Sequence, residues 1–170
     1  MTVFAALPES SQRIVIASEV IAHLGRFRQR SWLSREAGGQ LFGLIQASDV
    51  IVSVATGPYR GDQRWRTSYR SNAKAAQRAI DELSKKGLLY LGEWHTHPED
   101  FPKASSSDYD AITRLGGASR TRVSTLLMMI QGRSDDTAGI AIYSSGTDGL
   151  VRWTLFDDRK PEQARAYDES

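Results

Sequence analysis

The sequence contains no cysteine and only three histidines, His23, His95 and His97. Without thiols the chain cannot be a disulfide-stapled scaffold, a thiol protease, an iron–sulfur protein or a thiolate zinc site. Any metal must be held by nitrogen and oxygen ligands, and any hydrolysis must use a nucleophile other than sulfur. Histidine chemistry is therefore confined to three positions.

Long apolar runs and an excess of one charge are also missing. No apolar stretch approaches the ~20 residues that span a bilayer, and the first residues, MTVFAALPESSQ, lack the basic start of a signal peptide. Lysine and arginine total 22 against 20 acidic residues, which does not favour nucleic acid as a partner. We therefore expect a cytoplasmic protein that binds neither membrane nor nucleic acid.

The 170 residues fit one domain, which we place over 1–156, followed by a polar C-terminal tail over 157–170. Apolar periodicity and capping residues predict the following elements: helices over 18–30, 73–86 and 105–115, and strands over 13–17, 40–45, 50–55, 64–70, 88–94, 122–131, 139–144 and 150–156. Helices and strands do not alternate strictly, which predicts an α+β fold with a mixed sheet. The adjacent Gly38 and Gly39 predict a place where another backbone approaches closely.

The most informative segment is 93–108, which begins EWHTHP and contains SSSD. His95 and His97 are one residue apart at a strand end, so both imidazoles point to one side and can chelate one ion. Ser105 and Asp108 have the spacing of a capping box at a helix start. Two histidines and one carboxylate are the three protein ligands of a catalytic zinc site.

Three alternatives stay open within this segment. Ser107 and Asp110 have the same S-x-x-D spacing as Ser105 and Asp108. Glu93 lies two residues before His95, so strand alternation places it on the same side as the histidines. It is therefore a second candidate for a catalytic base. A histidine pair packed at a strand end beside an ordinary capped helix would also give this pattern.

The H-x-H-P run, followed by serine and aspartate at this spacing, resembles the JAMM motif of the JAB1/MPN-domain zinc metalloproteases. The resemblance implies a single α+β MPN/JAB (cytidine-deaminase-like) domain with a mixed curved β-sheet flanked by helices. It implies zinc held by His95, His97 and Asp108, and an upstream catalytic glutamate. Glu36 matches that glutamate, since the run EAGGQLFG resembles the family's sequence there. Ser105 would then hydrogen-bond the oxyanion of the reaction.

The pairing of this EAGG run with GEWHTHP resembles most closely the small bacterial branch of the family. That branch includes the stand-alone deconjugating peptidase of CBASS anti-phage operons, encoded beside an E1–E2-like fusion enzyme. The resemblance implies a deubiquitinase-like isopeptidase that cuts after the C-terminal tail of a conjugated protein, here a cGAS/DncV-like nucleotidyltransferase. Alternatives are a peptidase that processes a ubiquitin-like sulfur carrier, and a non-catalytic MPN scaffold.

Three further features have ordinary interpretations. His23 lies in a helical pattern and is expected to be a surface or packing residue rather than a ligand. Trp94, between Glu93 and His95, is expected to point into the core. The stretch 64–70 alternates arginine with aromatic and polar residues, and we expect a solvated edge strand rather than a surface for nucleic acid or a partner's tail.

Overall fold

The computed structural model describes residues 1–8, 10–118, 126–146 and 149–157, although not the side chains of 114–118, 146 and 149. The strands are β1 (Val3–Ala6), β2 (Arg13–Ile16), β3 (Gly38–Gln46), β4 (Asp49–Ala55), β5 (Gln63–Arg64), β6 (Tyr69–Arg70), β7 (Leu89–Thr96), β8 (Leu127–Gln131), β9 (Ile140–Gly146), β10 (Gly149–Arg152) and β11 (Thr154–Asp157). The helices are α1 (Ser18–Gly25), α2 (Ala73–Lys85) and α3 (Ser106–Ala118), with a 3₁₀ turn at Thr137–Gly139. Helices and strands mixed in this way confirm the α+β prediction.

Within the described residues, nine strands form one sheet in the order β10-β9-β8-β7-β3-β4-β2-β1-β11. The β2–β4 and β7–β8 pairs are parallel and the others are antiparallel. The two ends of the order approach each other at Trp153, whose backbone N–H donates to Ile142 and whose indole N–H donates to Ser144 Oγ, both over 2.9 Å. The sheet is therefore curved and nearly closed.

The first helix is shorter than predicted. α1 ends at Gly25 rather than at residue 30, and Ala17 rather than Ser18 is its N-cap. The apolar spacing continues past the helix because the Phe27 N–H donates to the Leu24 carbonyl in a tighter turn. This turn keeps the Phe27 ring 5.8 Å from that of Trp94.

The second helix matches its predicted signals. Asn72 caps α2, and its side-chain oxygen accepts from the N–H groups of Lys74 and Ala75. Gly87 follows with a φ of 81°, the left-handed conformation expected of a glycine that ends a helix.

Several strand predictions are wrong in detail. The stretch 64–70 is not one edge strand, because the chain turns at 65–68 and pairs β5 with β6 as a separate two-stranded sheet. The strand predicted over 150–156 is two strands, since Trp153 breaks it to bond β9. Asp157 is not part of a tail but a buried residue of β11. The rest of the tail, 158–170, lies outside the described residues, as do residues 122–125 of the strand predicted over 122–131.

Two other differences from the predictions concern the first strand and the third helix. β1 was not predicted, and it joins the sheet by pairing with both β2 and β11. α3 runs through Gly116 and Gly117 to Ala118 instead of ending at Leu115. No helix in the described part of the chain has the length and apolar character needed to cross a membrane.

Glycines allow the central strands to meet where the candidate site lies. A Cβ on Gly39 would stand 1.8 Å from the Thr56 carbonyl oxygen, which confirms the predicted close approach. Gly92 has a φ of 142°, and the β3–β7 register shifts beside it. This irregularity lies three residues before His95, where a bulge re-aims the end of a strand.

The core confirms the predictions for Trp94 and His23. Trp94 is 1% exposed and lies in the main apolar cluster, with its indole N–H donating to the Thr56 carbonyl. His23 packs edge-on against Trp94, with ring centroids 5.5 Å apart. Its Nε2 lies 2.7 Å from the Gly57 carbonyl and its Nδ1 lies 2.7 Å from the Arg26 guanidinium. A neutral ring with the proton on Nε2 satisfies both contacts.

This arrangement predicts a pH-dependent stability. Burial, opposed by the Gly57 hydrogen bond and aided by Arg26, lowers the pKa of His23 from 6.5. The neutral ring therefore contributes its full stability above the pKa that His23 has in the unfolded chain. This stability is lost as the pH falls through the lowered pKa that His23 has in the folded protein. Denaturant unfolding at about pH 7.5 and at about pH 5.5 measures this loss. Between these two pH values the free energy of unfolding should fall more in the wild type than in His23→Gln. Equal pH dependence in both proteins would contradict this account.

Candidate metal centre and active site

β7, a central strand, brings the two histidines to its carboxyl end. His95 is in β7 opposite Gly38 of β3, and His97 follows the strand with its N–H donating 2.9 Å to the Gln131 carbonyl. Thr96 between them is fully buried, so the two imidazoles share the opposite face. Their Nε2 atoms are 3.1 Å apart. Burial, followed by the neighbouring His95, lowers the pKa of His97, which favours the neutral form that binds metal.

Asp108, in the first turn of α3, completes a group of three ligand atoms. Its Oδ1 lies 3.1 Å from His95 Nε2, and its Oδ2 lies 3.5 Å from His97 Nε2. Zinc at usual bond lengths places the vertices of its tetrahedron about 3.3 Å apart. Each histidine nitrogen lies near that distance from one oxygen of the carboxylate, and a donor set of two imidazoles and one carboxylate fits the ion.

Ser105 fixes the orientation of the Asp108 carboxylate. Its backbone N–H and its hydroxyl donate to Asp108 Oδ2 over 2.7 and 2.5 Å. Burial alone would raise the pKa of Asp108, but His95 and the two Ser105 donors together hold it well below its usual range. The carboxylate is therefore charged and held in place.

The alternative serine–aspartate pair is arranged differently. Ser107 Oγ lies 2.8 Å from Ser105 Oγ, so this hydroxyl lies at the edge of the same cluster. Asp110 is exposed and is not part of the group of ligand atoms. The structure thus brings Asp108 to the histidines and leaves Asp110 in solvent.

Glu36 lies just before β3 and is held through its backbone. Its N–H donates to the Trp65 carbonyl over 2.7 Å, and its carbonyl accepts from Arg64 Nε over 2.6 Å. The side chain is 5% exposed and lines the same cavity as His95 and Asp108. Burial raises the pKa of Glu36 to about 7, against an opposing effect of His95 and with a smaller contribution from Asp108. A carboxyl of this pKa can exchange protons near neutral pH.

Glu93 lines the same cavity, but its carboxyl has side-chain hydrogen-bond partners. The amide of Gln40 approaches its Oε1 at 3.4 Å. Burial raises the pKa of Glu93, while Gln40, His95 and Tyr90 lower it. The structure therefore keeps two carboxyls beside the histidines, of which Glu36 has no side-chain partner among the described hydrogen bonds.

The cavity at this centre has a volume of about 210 Å³. The β5–β6 turn also contributes to its wall, through Thr67, Ser68 and Tyr69. Sequence reasoning missed these three residues, because it treated 64–70 as a solvated strand. The Thr67-Ser68 pair, which interrupts the alternation of arginine and aromatic residues, is the signal that could have indicated a turn.

A family model described as prokaryotic homologs of the JAB domain matches residues 18–147. The chain belongs to this JAB-domain family. The match extends from α1 to the region after β9, and so contains Glu36 and the whole candidate metal centre.

Curated relatives of this JAB-domain protein are similar over most of their length. A protein of Escherichia coli strain TW11681 named "CD-NTase/cGAS isopeptidase" is 33% identical over 132 residues, which are 76% of this chain and 82% of the relative. A Vibrio cholerae serotype O1 protein of the same name is 32% identical over 130 residues, 75% of this chain and 81% of the relative. A Pseudomonas aeruginosa protein, also of that name, is 34% identical over 124 residues, 71% of this chain and 74% of the relative.

A solved structure has the same fold. The solution structure of protein DSY2949 from Desulfitobacterium hafniense superposes with a TM-score of 0.59. It is 19% identical and covers 81% of this chain and 87% of its own. The JAB-type arrangement of sheet and helices is thus present in an experimental structure of a distant protein.

Proposed function

We propose that this JAB-domain protein is a zinc-dependent isopeptidase, a JAMM metallopeptidase that cleaves after the C-terminus of a conjugated or precursor protein. The observation that carries the proposal is the grouping of two imidazole nitrogens and one carboxylate within 4.8 Å of one another, beside the buried carboxyl of Glu36. The names of the curated relatives support a nucleotidyltransferase of the CD-NTase/cGAS type as the conjugated protein. CBASS antiviral defence, in the cytoplasm, is the corresponding biological setting.

In this proposal His95 Nε2, His97 Nε2 and an oxygen of Asp108 hold the zinc ion. When bound, the ion supplies a Lewis acid that makes water a nucleophile near neutral pH. Ser105 keeps the Asp108 carboxylate aimed at the histidines. The fully buried Thr96 fixes the strand between the two imidazoles, since its hydroxyl accepts from the Ala37 N–H over 3.0 Å.

Glu36 is proposed to transfer the protons of the reaction. The water oxygen forms a bond to the carbonyl carbon of the isopeptide, and the bond from that carbon to the lysine nitrogen breaks. Glu36 takes the proton that the water loses and returns it to the departing amine. Its backbone anchors to Trp65 and Arg64 hold it at the cavity wall throughout.

Ser105 is proposed to turn its hydroxyl proton from Asp108 Oδ2 to the oxyanion that forms at the substrate carbonyl, while its backbone N–H continues to hold the carboxylate. If so, Ser105→Ala should lower kcat by roughly 10²–10³-fold, the cost of removing one such donor. Zinc content should change little, since Ser105 is not a ligand. Ser107→Ala is the matched control and should stay near wild type. A variant that loses zinc affinity but has normal kcat when fully loaded would mean that Ser105 only orients Asp108.

The names of the relatives also bear on the alternatives. They favour a nucleotidyltransferase substrate over a ubiquitin-like sulfur carrier. A non-catalytic scaffold would not need the ligand trio and a buried glutamate together. An E1–E2-like fusion enzyme is the proposed partner that would make the conjugate.

The proposal is tested by incubating the protein with a CD-NTase-type nucleotidyltransferase fused at its C-terminus to a reporter. We expect cleavage at the end of the nucleotidyltransferase tail, loss of cleavage with a chelator, and recovery when zinc is added back. A fusion of a ubiquitin-like sulfur carrier to the same reporter is the comparison substrate. Cleavage that survives full metal removal, or no cleavage of either fusion, would overturn the proposal.

A further inference from the structure

Three large apolar side chains stand in solvent beside the candidate site. Trp32 is 76% exposed, Leu33 is 68% exposed and Trp65 is 55% exposed. Single exposed hydrophobic residues are ordinary, whereas a group of them on one surface marks an interaction site. We call these three residues the tryptophan surface.

The tryptophan surface is built from two loops that are fastened together. The Arg66 guanidinium donates to the Trp32 carbonyl, and the buried Gln29 amide donates to the carbonyls of Ser34 and Arg66 over 3.3 and 2.8 Å. Gln29 Oε1 in turn accepts from the Thr96 hydroxyl over 3.2 Å. Because Thr96 lies between the two histidines, these hydrogen bonds connect the surface to the strand that carries the metal ligands.

Arginines edge this surface without carboxylate partners. Arg35 and Arg66 are exposed and Arg64 is half-buried. In the described part of the chain none of the three forms an ion pair. Arg64 and Arg66 instead donate to backbone carbonyls. The edge is therefore positively charged and can attract carboxylates.

The surface also continues into the wall of the cavity. Trp65 accepts from the Glu36 N–H, and Thr67 and Ser68, which follow Arg66, line the cavity itself. A molecule seated on the tryptophan surface would thus have an adjoining segment at the candidate metal centre.

We propose that the tryptophan surface docks the folded body of the conjugated substrate, through a protein surface with an apolar centre flanked by carboxylates. The inference rests on the proposed isopeptidase function and adds a second point of recognition to it. The tail that enters the cavity supplies the cleaved bond, and the body selects which protein is cleaved.

The chemistry of the surface favours a protein over a nucleic acid. Tryptophan and arginine are the residues most enriched at the energetic centres of protein interfaces. The guanidinium fork matches a carboxylate in a paired arrangement. A strand of nucleic acid would need a longer basic track, and the whole chain carries a net charge of only +2.

The test compares substrates with and without a folded body. One probe is a CD-NTase-type nucleotidyltransferase with a C-terminal reporter, and the other is its C-terminal tail alone with the same reporter. The two probes are compared by their values of kcat/KM. Trp32→Ser and Arg35→Glu should each lower kcat/KM for the fusion, relative to that for the tail, by about tenfold or more, mainly by raising KM for the fusion. In a Glu36→Gln background, in which cleavage is expected to be slow enough for binding to be measured, the same changes should weaken binding of the fusion by a similar factor. Raising the salt from about 50 mM to about 300 mM should weaken this binding less in Arg35→Glu than in its parent.

Matched controls lie elsewhere on the surface. Val151→Ser removes an exposed apolar side chain of β10, and Lys86→Glu reverses an exposed charge after α2, so both should leave the ratio and the binding unchanged. Equal losses on fusion and tail, or no loss on either, would overturn the docking proposal. The docking proposal would also be overturned if a single-stranded oligonucleotide displaced the fusion from the unmodified surface, or if the fusion did not bind. Binding that depends on Trp32 without any cleavage by the wild type would count against the isopeptidase proposal alone.

Discussion

Glu36→Gln is expected to lower the rate of isopeptide cleavage by roughly 10²–10⁴-fold while leaving bound zinc in place. The reason is that glutamine keeps the size and polarity of the side chain but cannot take a proton from water. Glu36 is 5% exposed, lines the cavity beside His95, and has no side-chain hydrogen bond among the described residues that the substitution would break. Cleavage assays and metal analysis of the same purified variant check both parts of the expectation.

Glu93→Gln is the matched control, because it makes the same change on the same cavity wall. Glu93 already meets Gln40 and Tyr90, so its replacement should lower the rate less than about tenfold. A larger loss for Glu93→Gln than for Glu36→Gln would assign the proton transfer to Glu93. Loss of zinc from Glu36→Gln would mean that this carboxyl acts on the metal centre rather than on water.

The candidate metal centre was accessible to sequence reasoning because most of it is local. His95 at the end of β7 and His97 just after it are separated by one residue, and Asp108 lies in the first turn of the next helix, α3. Strand alternation and the helix start therefore fix most of the geometry before any long-range contact forms. Glu36 is different, since its place beside His95 depends on the pairing of β3 with β7. No local pattern determines that pairing, and only a family resemblance pointed to it.

The tryptophan surface and the cavity wall at 67–69 could not be predicted in the same way. Both depend on Gln29 and Arg66, whose hydrogen bonds join segments more than thirty residues apart in sequence. Exposure of Trp32 and Trp65 contradicts the usual expectation for tryptophan, so composition gave no sign of it. A sequence pattern describes the preferences of one element, whereas these features come from how two loops meet.

The strands near the two ends of the sheet order show the same limit of prediction from sequence. The β3–β4 hairpin and β7 were predicted because each is a compact apolar run bounded by turn residues. β1 is only four residues long, and it is stabilised by pairing with β11 from the other end of the chain. Trp153 likewise divides the last strand because it bonds to β9 across the closing sheet. Such long-range partners override local propensity.

The second large expected effect separates the two aspartates of α3. Asp108→Ala should lose both bound zinc and activity, because two imidazoles alone do not make a three-ligand catalytic site. Asp110→Ala should keep its zinc, since Asp110 is exposed and outside the group of ligand atoms. Zinc per protein chain, measured on both purified variants, decides between the two serine–aspartate pairs. Retention of zinc by Asp108→Ala and its loss from Asp110→Ala would reverse the assignment.

Asp108→Asn distinguishes loss of a ligand from loss of the helix start. The alanine variant also removes the acceptor of the Ser105 N–H, a capping contact whose loss costs about 1 kcal/mol of stability. Asparagine keeps an acceptor oxygen at that position but removes the negative charge that faces the two imidazoles. We therefore expect metal-free Asp108→Asn to be destabilised less than metal-free Asp108→Ala, yet to bind zinc much more weakly than the wild type. An asparagine variant with full zinc content and normal cleavage would show that the carboxylate charge is not needed, and that Asp108 serves mainly as a helix cap.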